Sequence, residues 1–481
     1  MARTWLHAIS YLRFRFDRAH LWQFVRRESV QYTVAWAAAL IGAGICGIVA
    51  WIAVRDVRRA DGNAGHVSVD FAGQWLLGRL LVRGEGRDLY ERSHQRAVLV
   101  ESCPVEDQDP EQDKSDAENI MTALMGSDDG PPPHVGGPLY PPIDAFAYAP
   151  LGALPPRIAY RLAQLASILL LFVAGGGIAL LARGRIWWPV ATVLLMLFPG
   201  VGGTVSLGQN ASLSLAILTW GWLLVARGRP GWGGVIWGLL AYKPVWAAAF
   251  FLVPVLTRRW RMAGAMLATG IALAGLTLPF VGWQTWVNWL HVGREASETY
   301  DVDENWITMS RDLLSIPRRW LIDFELSYEE RRRDGLAPAL IGWAMLLLVF
   351  EATVRLTCLR GTRPGPVVGP GVSFVLLGAW ATCFHFMYYD VLLAALAVVL
   401  LFTEPRRYLE PIYVGRHHSR ETGNVCVLNR LAPTILVLLI VTQPLWAMRV
   451  GRIAPGDTVL LLILWAWCGW TWAREKPLAA G

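Results

Sequence analysis

The chain has 481 residues, of which 54% are hydrophobic and only 17% charged, with 25 tryptophans and a formal net charge of +7. The apolar residues fall into many separate runs of membrane-spanning length, which excludes an ordinary soluble protein. The arginines lie in short clusters between these runs, as in positive-inside loops, so we expect no nucleic-acid partner. The six cysteines form no C-x-x-C pair. We therefore predict no metal site from cysteine.

The first predicted element is an N-terminal membrane span. Residues 1–30 contain six arginines, and an apolar run follows from about Tyr32 to Val54. No small-residue cleavage site separates this run from the next polar segment, which indicates a retained anchor rather than a signal peptide. We therefore expect residues 1–30 to form a basic cytoplasmic N-terminus.

Most of the remaining chain consists of further apolar runs, with spans predicted at about 157–182, 187–207, 208–226, 262–282, 336–356, 371–388, 390–403, 432–449 and 456–473. The run 232–256 has arginines at both flanks and is interrupted at Lys243-Pro244. Because proline cannot continue a helix smoothly, we predict two short helices that enter and return, with a single kinked span as the alternative. The fold class predicted is an all-α polytopic bundle of about 10–12 transmembrane helices.

Positive-inside counting places the two long loops, residues 55–155 and 283–335, on the outer side. The first loop begins with residues 69–83, predicted as an amphipathic helix along the membrane surface. It continues into residues 101–139, predicted as an acidic flexible insertion because ten carboxylates fall between 101 and 130. Tryptophans near the ends of apolar runs predict an aromatic belt at the headgroup layer, and they are Trp187, Trp188, Trp260, Trp283 and Trp380.

Several short motifs occur in a shared order over roughly residues 66–400: Asp70-Phe71 opening the surface helix, Gly86-Arg-Asp-Leu-Tyr90, Tyr140-Pro-Pro-Ile143, Ala149-Pro-Leu-Gly-Ala-Leu-Pro-Pro156, Leu207-Gly-Gln-Asn210 and Gly238-Leu-Leu-Ala-Tyr-Lys-Pro244. Together they resemble glycosyltransferase family 87, the membrane mannosyltransferases of the GT-C superfamily. The acidic insertion and the segment Cys383-Phe-His-Phe-Met-Tyr-Tyr-Asp390 depart from the family pattern.

The resemblance implies an inverting transferase that takes a hexose, by default mannose, from a polyprenyl-phosphate donor to a glycolipid or glycan acceptor. Its active site would lie on the outer face of a bacterial inner membrane, with membrane lipids as further partners and no cofactor beyond the lipid-linked donor. Residues 31–403 would form a GT-C-like catalytic region, 404–431 a basic cytoplasmic loop, and 432–481 a C-terminal transmembrane hairpin and tail. The absence of a Rossmann-like glycine fingerprint agrees with a donor that is not a nucleotide sugar.

Asp70 is the candidate catalytic base, because it matches the aspartate in the first loop of the family. A base near the acceptor hydroxyl is what an inverting transfer needs. The alternative is helix capping, since aspartate is a good N-cap residue. Asp88 is a weaker, substrate-binding candidate, because its motif also suits a turn that packs Tyr90.

Two further candidates lie near predicted outer membrane ends. Lys243 is one of only three lysines, and a lysine in an apolar segment is usually functional or paired. We predict that it binds the donor phosphate, with a structural partner or snorkelling as the alternative. Gln209 is a candidate ligand of sugar hydroxyls, whereas Asn210 is predicted to cap the helix that follows.

Two aromatic candidates complete the predicted substrate-binding set. Trp306 lies farther from the predicted spans than Trp283 and Trp286, which a membrane belt explains, so we predict that Trp306 contacts the acceptor. His385 lies on an outer turn, where a structural role among aromatic residues is the alternative.

Two other function classes stay open. A secondary transporter would also be polytopic, and the interrupted run at Lys243-Pro244 resembles a discontinuous binding helix, although no inverted repeat is visible. A non-catalytic membrane assembly scaffold is the third hypothesis. Replacement of Asp70 distinguishes the scaffold hypothesis from the enzyme hypothesis, since a scaffold would keep its function without this residue.

Overall fold

The computed structural model describes residues 28–55, 70–102, 138–183, 186–360, 367–402, 434–435, 437–440 and 455–474. The basic N-terminus, nearly all of the acidic insertion, the loop 404–431 and most of the predicted span 432–449 lie outside the described residues. The described part is helical and contains no strand beyond one isolated bridge between Ser310 and Met387.

The helices of the described part, in chain order, are α1 (Glu28–Ala53), α2 (Asp70–Val82), α3 (Arg92–Ser102), α4 (Pro142–Gly152), α5 (Pro156–Leu181), α6 (Trp188–Met196), α7 (Val201–Ser206), α8 (Ala211–Ala226), α9 (Pro230–Gly238), α10 (Pro244–Leu256), α11 (Trp260–Tyr300), α12 (Glu304–Met309), α13 (Ser315–Leu321), α14 (Tyr328–Asp334), α15 (Leu336–Arg360), α16 (Pro370–Ala381), α17 (Ala395–Phe402) and α18 (Gly456–Arg474). Short 3₁₀ helices cover Gly86–Asp88, Leu239–Tyr242 and Tyr388–Ala394.

Four of these helices, α1, α5, α11 and α15, are long and apolar enough to cross a membrane. Shorter apolar helices include α8, α10 and α16. The predicted all-α polytopic membrane fold is therefore confirmed. The predicted span 187–207 is divided into α6 and α7 at Gly200, which has a φ of 93°. A Cβ atom at Gly200 would crowd the carbonyl oxygens of Tyr388 and Tyr389, so glycine is required at this turn.

Helices α9 and α10 form the predicted hairpin. Helix α9 runs parallel to the first turns of α11, because Gly234 packs on Met262 and Gly238 packs on Met266. Since α10 leads back to the start of α11, the chain enters through α9 and returns through α10. Lys243 lies at the tip, between the 3₁₀ helix Leu239–Tyr242 and α10. The alternative of a single kinked span is thereby excluded.

The bundle has two ends, which we call the site end and the opposite end. The site end holds the turn that follows α7, the hairpin tip, the chain from Tyr300 to Leu314 and the turn that follows α16. Contacts that join these parts include Lys243 to Asn210, Lys243 to Asp390, and the Arg311 amide to the Phe386 carbonyl. The opposite end holds arginines in the turns after α5, α8 and α10 and at the last residue of α15, and they are Arg183, Arg227, Arg229, Arg258, Arg259 and Arg360.

Helix α2 exists as predicted, but it does not lie on a surface. Nine of its thirteen residues are buried, on all sides of the helix. It packs against α4 where Gly78 meets the backbone of Tyr148, and a Cβ atom there would overlap that backbone. Trp75 donates a hydrogen bond to the Leu154 carbonyl at 3.1 Å. The prediction of an amphipathic surface helix is therefore wrong, because neighbouring helices cover the apolar residues that membrane lipid was expected to cover.

The aromatic belt is found only in part. Trp260 and Trp283 expose 63% and 72% of their surface, as a belt requires. Trp380 is 1% exposed and packs on Phe386 at a ring distance of 4.9 Å, so it belongs to the core. The predicted second outer loop is largely helical. Helix α11 continues past a kink at Gly282 to Tyr300, and α12, α13 and α14 follow it.

Candidate functional site

Asp70 begins α2 and receives hydrogen bonds from side chains of distant segments. Gln209 donates from Nε2 to Asp70 Oδ2, and the Tyr389 hydroxyl also bonds the carboxylate. Tyr140 donates from its hydroxyl to Gln209 Oε1 at 2.9 Å, which leaves the Gln209 amide nitrogen facing Asp70. The carboxylate is therefore held by a connected set of side chains rather than by the first turn of its own helix.

The surroundings of Asp70 favour a basic carboxylate. Burial raises its pKa above the ordinary value, and this outweighs the opposing hydrogen bonds from Gln209 and Tyr389 and the charge of Lys243. A carboxylate with a raised pKa holds a proton more firmly and is the better general base near neutral pH. The site thus contains a group able to accept a proton from a hydroxyl.

Lys243 forms a buried ion pair with Asp390. Its Nζ atom lies 2.8 and 2.9 Å from the two Asp390 oxygens and 5.3 Å from the centre of the Tyr389 ring. The structural partner considered for Lys243 therefore exists. The sequence held a signal for it, because Asp390 is the only acidic residue between 371 and 403 and a lysine in an apolar segment needs a counter-ion.

Asn210 does not have the predicted capping role. It occupies the N-cap position of α8, but its side chain makes no capping hydrogen bond. Instead its Oδ1 atom accepts from Lys243 Nζ at 3.5 Å. The amide is drawn away from the helix terminus because the buried ammonium is a stronger donor than a backbone amide.

His385 and Trp306 belong to an aromatic group centred on Tyr300. The imidazole stacks on Tyr300 with ring centres 4.3 Å apart and planes 8° apart, and Trp306 lies 4.3 Å from the same ring. Burial and the charges of Lys243 and Arg318 lower the pKa of His385 to about 4. The imidazole is therefore neutral near pH 7. Its Nδ1 atom lies 3.8 Å from Asp312 Oδ2.

The C-terminal helix α18 anchors the segment that carries Trp306. Arg311 pairs through Nε with Asp457 at 3.2 Å, and Thr458 donates to the Arg311 carbonyl at 2.8 Å. The Arg311 amide donates to the Phe386 carbonyl at 2.9 Å, which joins this segment to the turn that carries His385. Burial raises the pKa of Asp312 to about 6, so this carboxyl group is mostly ionised at neutral pH.

The structure brings five of the six candidates to the site end. Asp70 and Gln209 are hydrogen-bonded, and Lys243 lies within electrostatic range of Asp70. The aromatic group lies at the same end, because Tyr300 is within electrostatic range of Asp70. Asp88 is not among them. It follows the far end of α2, a helix of thirteen residues, and the rise along such a helix is about 20 Å.

Sequence reasoning missed several polar residues of this region, and they are Tyr140, Asp144, Asp312, Tyr389 and Asp390. Four of them, all but Asp312, lie in or beside stretches that the sequence did single out. Apart from the pairing of Asp390 with Lys243, nothing in the local sequence marks their partners. Among the described residues no three His, Cys, Asp or Glu side chains are arranged to hold a metal ion.

Residues 139–368 match the model of glycosyltransferase family 87. The match covers just under half of the chain and indicates a glycosyltransferase. The matched region includes Tyr140, Gln209, Lys243 and Trp306, whereas Asp70 and His385 lie outside it on either side. No curated protein and no solved structure gives a significant match to the chain.

Proposed function

We propose that this protein is an inverting hexosyltransferase that moves a hexose, mannose by its resemblance to family 87, from a polyprenyl-phosphate donor to a glycolipid or glycan acceptor. The observation that carries this proposal is the convergence at the site end of the Asp70 carboxylate and the hairpin-tip Lys243. A basic carboxylate and a cation in one polar site are the two groups that such a transfer needs.

Asp70 acts in this proposal as the general base. It removes the proton from an acceptor hydroxyl while that oxygen forms a bond to the anomeric carbon of the donor. The bond from the anomeric carbon to the phosphate oxygen breaks on the opposite side, and its electron pair leaves with polyprenyl phosphate. Gln209 and Tyr389 hold the carboxylate in place, so little reorganisation is required at the moment of reaction.

The leaving phosphate needs positive charge. Lys243 is the proposed cation, but Asp390 balances its charge in this structure. Donor binding would therefore require Lys243 to share its three ammonium hydrogens between Asp390 and the phosphate. Arg311 and Arg318 add positive charge at the same end, each already paired with a carboxylate.

The aromatic group of Tyr300, Trp306 and His385 is the proposed acceptor platform. Aromatic rings with polar edges suit the mixed faces of a sugar. Because His385 is neutral near pH 7, the platform can offer hydrogen bonds without adding a positive charge beside the proposed base.

The distribution of arginine supports the proposed orientation. The turns at the opposite end are rich in arginine, and such turns usually face the cytoplasm. The site end would then face outward, which is where a bacterial inner-membrane enzyme meets a lipid-linked donor that has been translocated across the bilayer.

Transfer in proteoliposomes tests the proposal. The purified chain would be reconstituted with radiolabelled polyprenyl-phosphate mannose or polyprenyl-phosphate glucose, or with the corresponding nucleotide sugars, and a membrane glycolipid extract as acceptor. We expect a labelled product from one polyprenyl-phosphate hexose and none from the nucleotide sugars. Transfer from a nucleotide sugar alone would overturn the proposed donor class.

A further inference from the structure

Asp144, on the first turn of α4, is a buried carboxyl group that the proposed mechanism does not use. It is 0% exposed, and neither of its oxygens has a hydrogen-bond partner within the described part of the chain. A buried polar group left unpaired costs about 1–3 kcal/mol. A group retained at such a cost needs an explanation other than stability.

The local sequence explains why Asp144 is unpaired. Asp144 is the third residue of α4, where an acidic side chain commonly turns back to accept the N–H of the N-cap residue. Here the N-cap residue is Pro141 and the next residue is Pro142, and neither has an N–H group. The Pro141-Pro142 pair therefore removes the usual local partner of Asp144.

The neighbours of Asp144 do not replace that partner. Four tyrosines lie within electrostatic range of its carboxyl group: Tyr90, Tyr140, Tyr148 and Tyr242. The Tyr90 hydroxyl donates to the Tyr140 carbonyl, and the Tyr140 hydroxyl donates to Gln209. The Tyr242 hydroxyl is hydrogen-bonded to Ser214 and to the Asn210 carbonyl. Burial raises the pKa of Asp144 well above its usual range, so the carboxyl group can donate as well as accept a hydrogen bond.

A second unpaired group lies beside the same lysine. The Asn210 Nδ2 atom is buried without a hydrogen-bond partner, while its Oδ1 atom accepts from Lys243. Lys243 is also within electrostatic range of Asp144. An unpaired carboxyl group and an unpaired amide donor thus lie in the region of the proposed phosphate-binding lysine. Asn210 also directly follows Gln209 of the Asp70 network.

We propose that Asp144 binds adjacent hydroxyl groups of the hexose being transferred, with Asn210 Nδ2 as a second contact, and that this contact selects the hexose. Each sugar hydroxyl both donates and accepts, so a pair of them satisfies the carboxyl group and the amide together. Entry of the hexose requires the tyrosine side chains around Asp144 to move aside. This inference rests on the proposed function, because it assigns the sugar subsite of the same reaction.

Two substitutions separate a ligand contact from a structural role. Asp144→Leu keeps the branching at the γ carbon and removes both unpaired oxygens, and this relief offsets the cost of the larger methyl groups. The unfolding midpoint of the unliganded protein should therefore change little. The same change should lower kcat/KM for the polyprenyl-phosphate hexose that the wild type uses by about 10- to 100-fold, the range expected for lost hydrogen bonds to such a group. Asp144→Asn should retain part of the activity, because its amide can still bind hydroxyls. This variant tests the hydroxyl contact if the leucine variant does not fold.

Deoxyhexose donors provide the decisive measurement. Removal of the hexose hydroxyl that contacts Asp144 should weaken transfer by the wild type. The Asp144→Leu variant should transfer the intact and the deoxy sugar about equally, with a ratio of kcat/KM values near one. Thr219→Val is the matched control. Its hydroxyl is also buried and unpaired, and it lies about 13 Å along α8 from Asn210, so kcat/KM should not change.

Unchanged kcat/KM and unchanged sugar discrimination in both Asp144 variants would overturn the inference, while wild-type transfer would leave the proposed function standing. Failure of the wild type to use any polyprenyl-phosphate hexose would overturn the proposed function and the sugar subsite with it.

Discussion

At the scale of single residues, Asp70 illustrates how a tertiary contact changes what a side chain can do. At the first turn of a helix, an aspartate is first of all a capping group. Here Gln209 and Tyr389 bind the carboxylate from other segments, and burial raises its pKa. The proposed base is thus created by residues more than a hundred positions away along the chain.

Asp70→Asn should abolish most transfer without unfolding the protein. Asparagine keeps the size and can still cap the helix, but it cannot take up the proton, and general-base contributions are about 10²–10⁴-fold in rate. Transfer in proteoliposomes and the unfolding midpoint would be measured together. A rate within about threefold of wild type, well below that range, would exclude Asp70 as the base.

The pair Lys243–Asp390 predicts a strong coupling. Lys243→Met leaves a buried carboxylate without its partner, and such a change typically costs about 3–5 kcal/mol. The double variant Lys243→Met/Asp390→Asn removes both charges and should recover most of the lost stability. Thermal unfolding of the two single variants and the double variant in detergent measures this coupling.

The double variant also tests the phosphate role of Lys243. Weak donor binding by the folded double variant is expected if the ammonium contacts the phosphate. If donor affinity were equal to that of the wild type, Lys243 would have only the structural role of neutralising Asp390.

At the scale of helices, the packing of α2 on α4 positions Asp70. The pattern of residues 69–83 predicted a helix correctly, because its apolar spacing and its opening aspartate are local features. Burial on all sides depends on which helices pack around it. The glycines at the crossing, Gly78 and Gly152, allow the two backbones to approach closely.

Gly78→Ala should destabilise the protein by about 1–3 kcal/mol, the usual cost of forcing an extra group into a packed interface. Its Cβ atom would overlap the Tyr148 carbonyl, so α2 and Asp70 must shift and transfer should also fall. Gly264→Ala is the control, because Gly264 is an exposed helical glycine with open space around it. There alanine should be neutral or slightly stabilising, by at most about 1 kcal/mol. Equal unfolding midpoints for the two variants would contradict this account of the crossing.

At the scale of the whole molecule, the two ends of the bundle predict sidedness. Ser297 is exposed at the site end, and Arg229 is exposed at the opposite end. In a cysteine-free background, Ser297→Cys should react with a membrane-impermeant maleimide added outside intact spheroplasts, whereas Arg229→Cys should react only after lysis. Labelling of Arg229→Cys from outside, with Ser297→Cys protected, would reverse the proposed orientation.

The sequence alone determined the membrane class, most helix positions, the break at Lys243-Pro244 and the resemblance to glycosyltransferase family 87, because these depend on apolar run length, local breakers and short motifs. Only the tertiary structure decided that α2 and Trp380 are buried, that Asn210 serves Lys243 rather than a helix terminus, and that Asp88 lies away from Asp70. It also revealed Asp390 as the counter-ion and Asp144 as an unpaired acid. The physical reason is that burial and hydrogen-bond partners are set by contacts between segments far apart in the chain, and no local pattern records which segments meet.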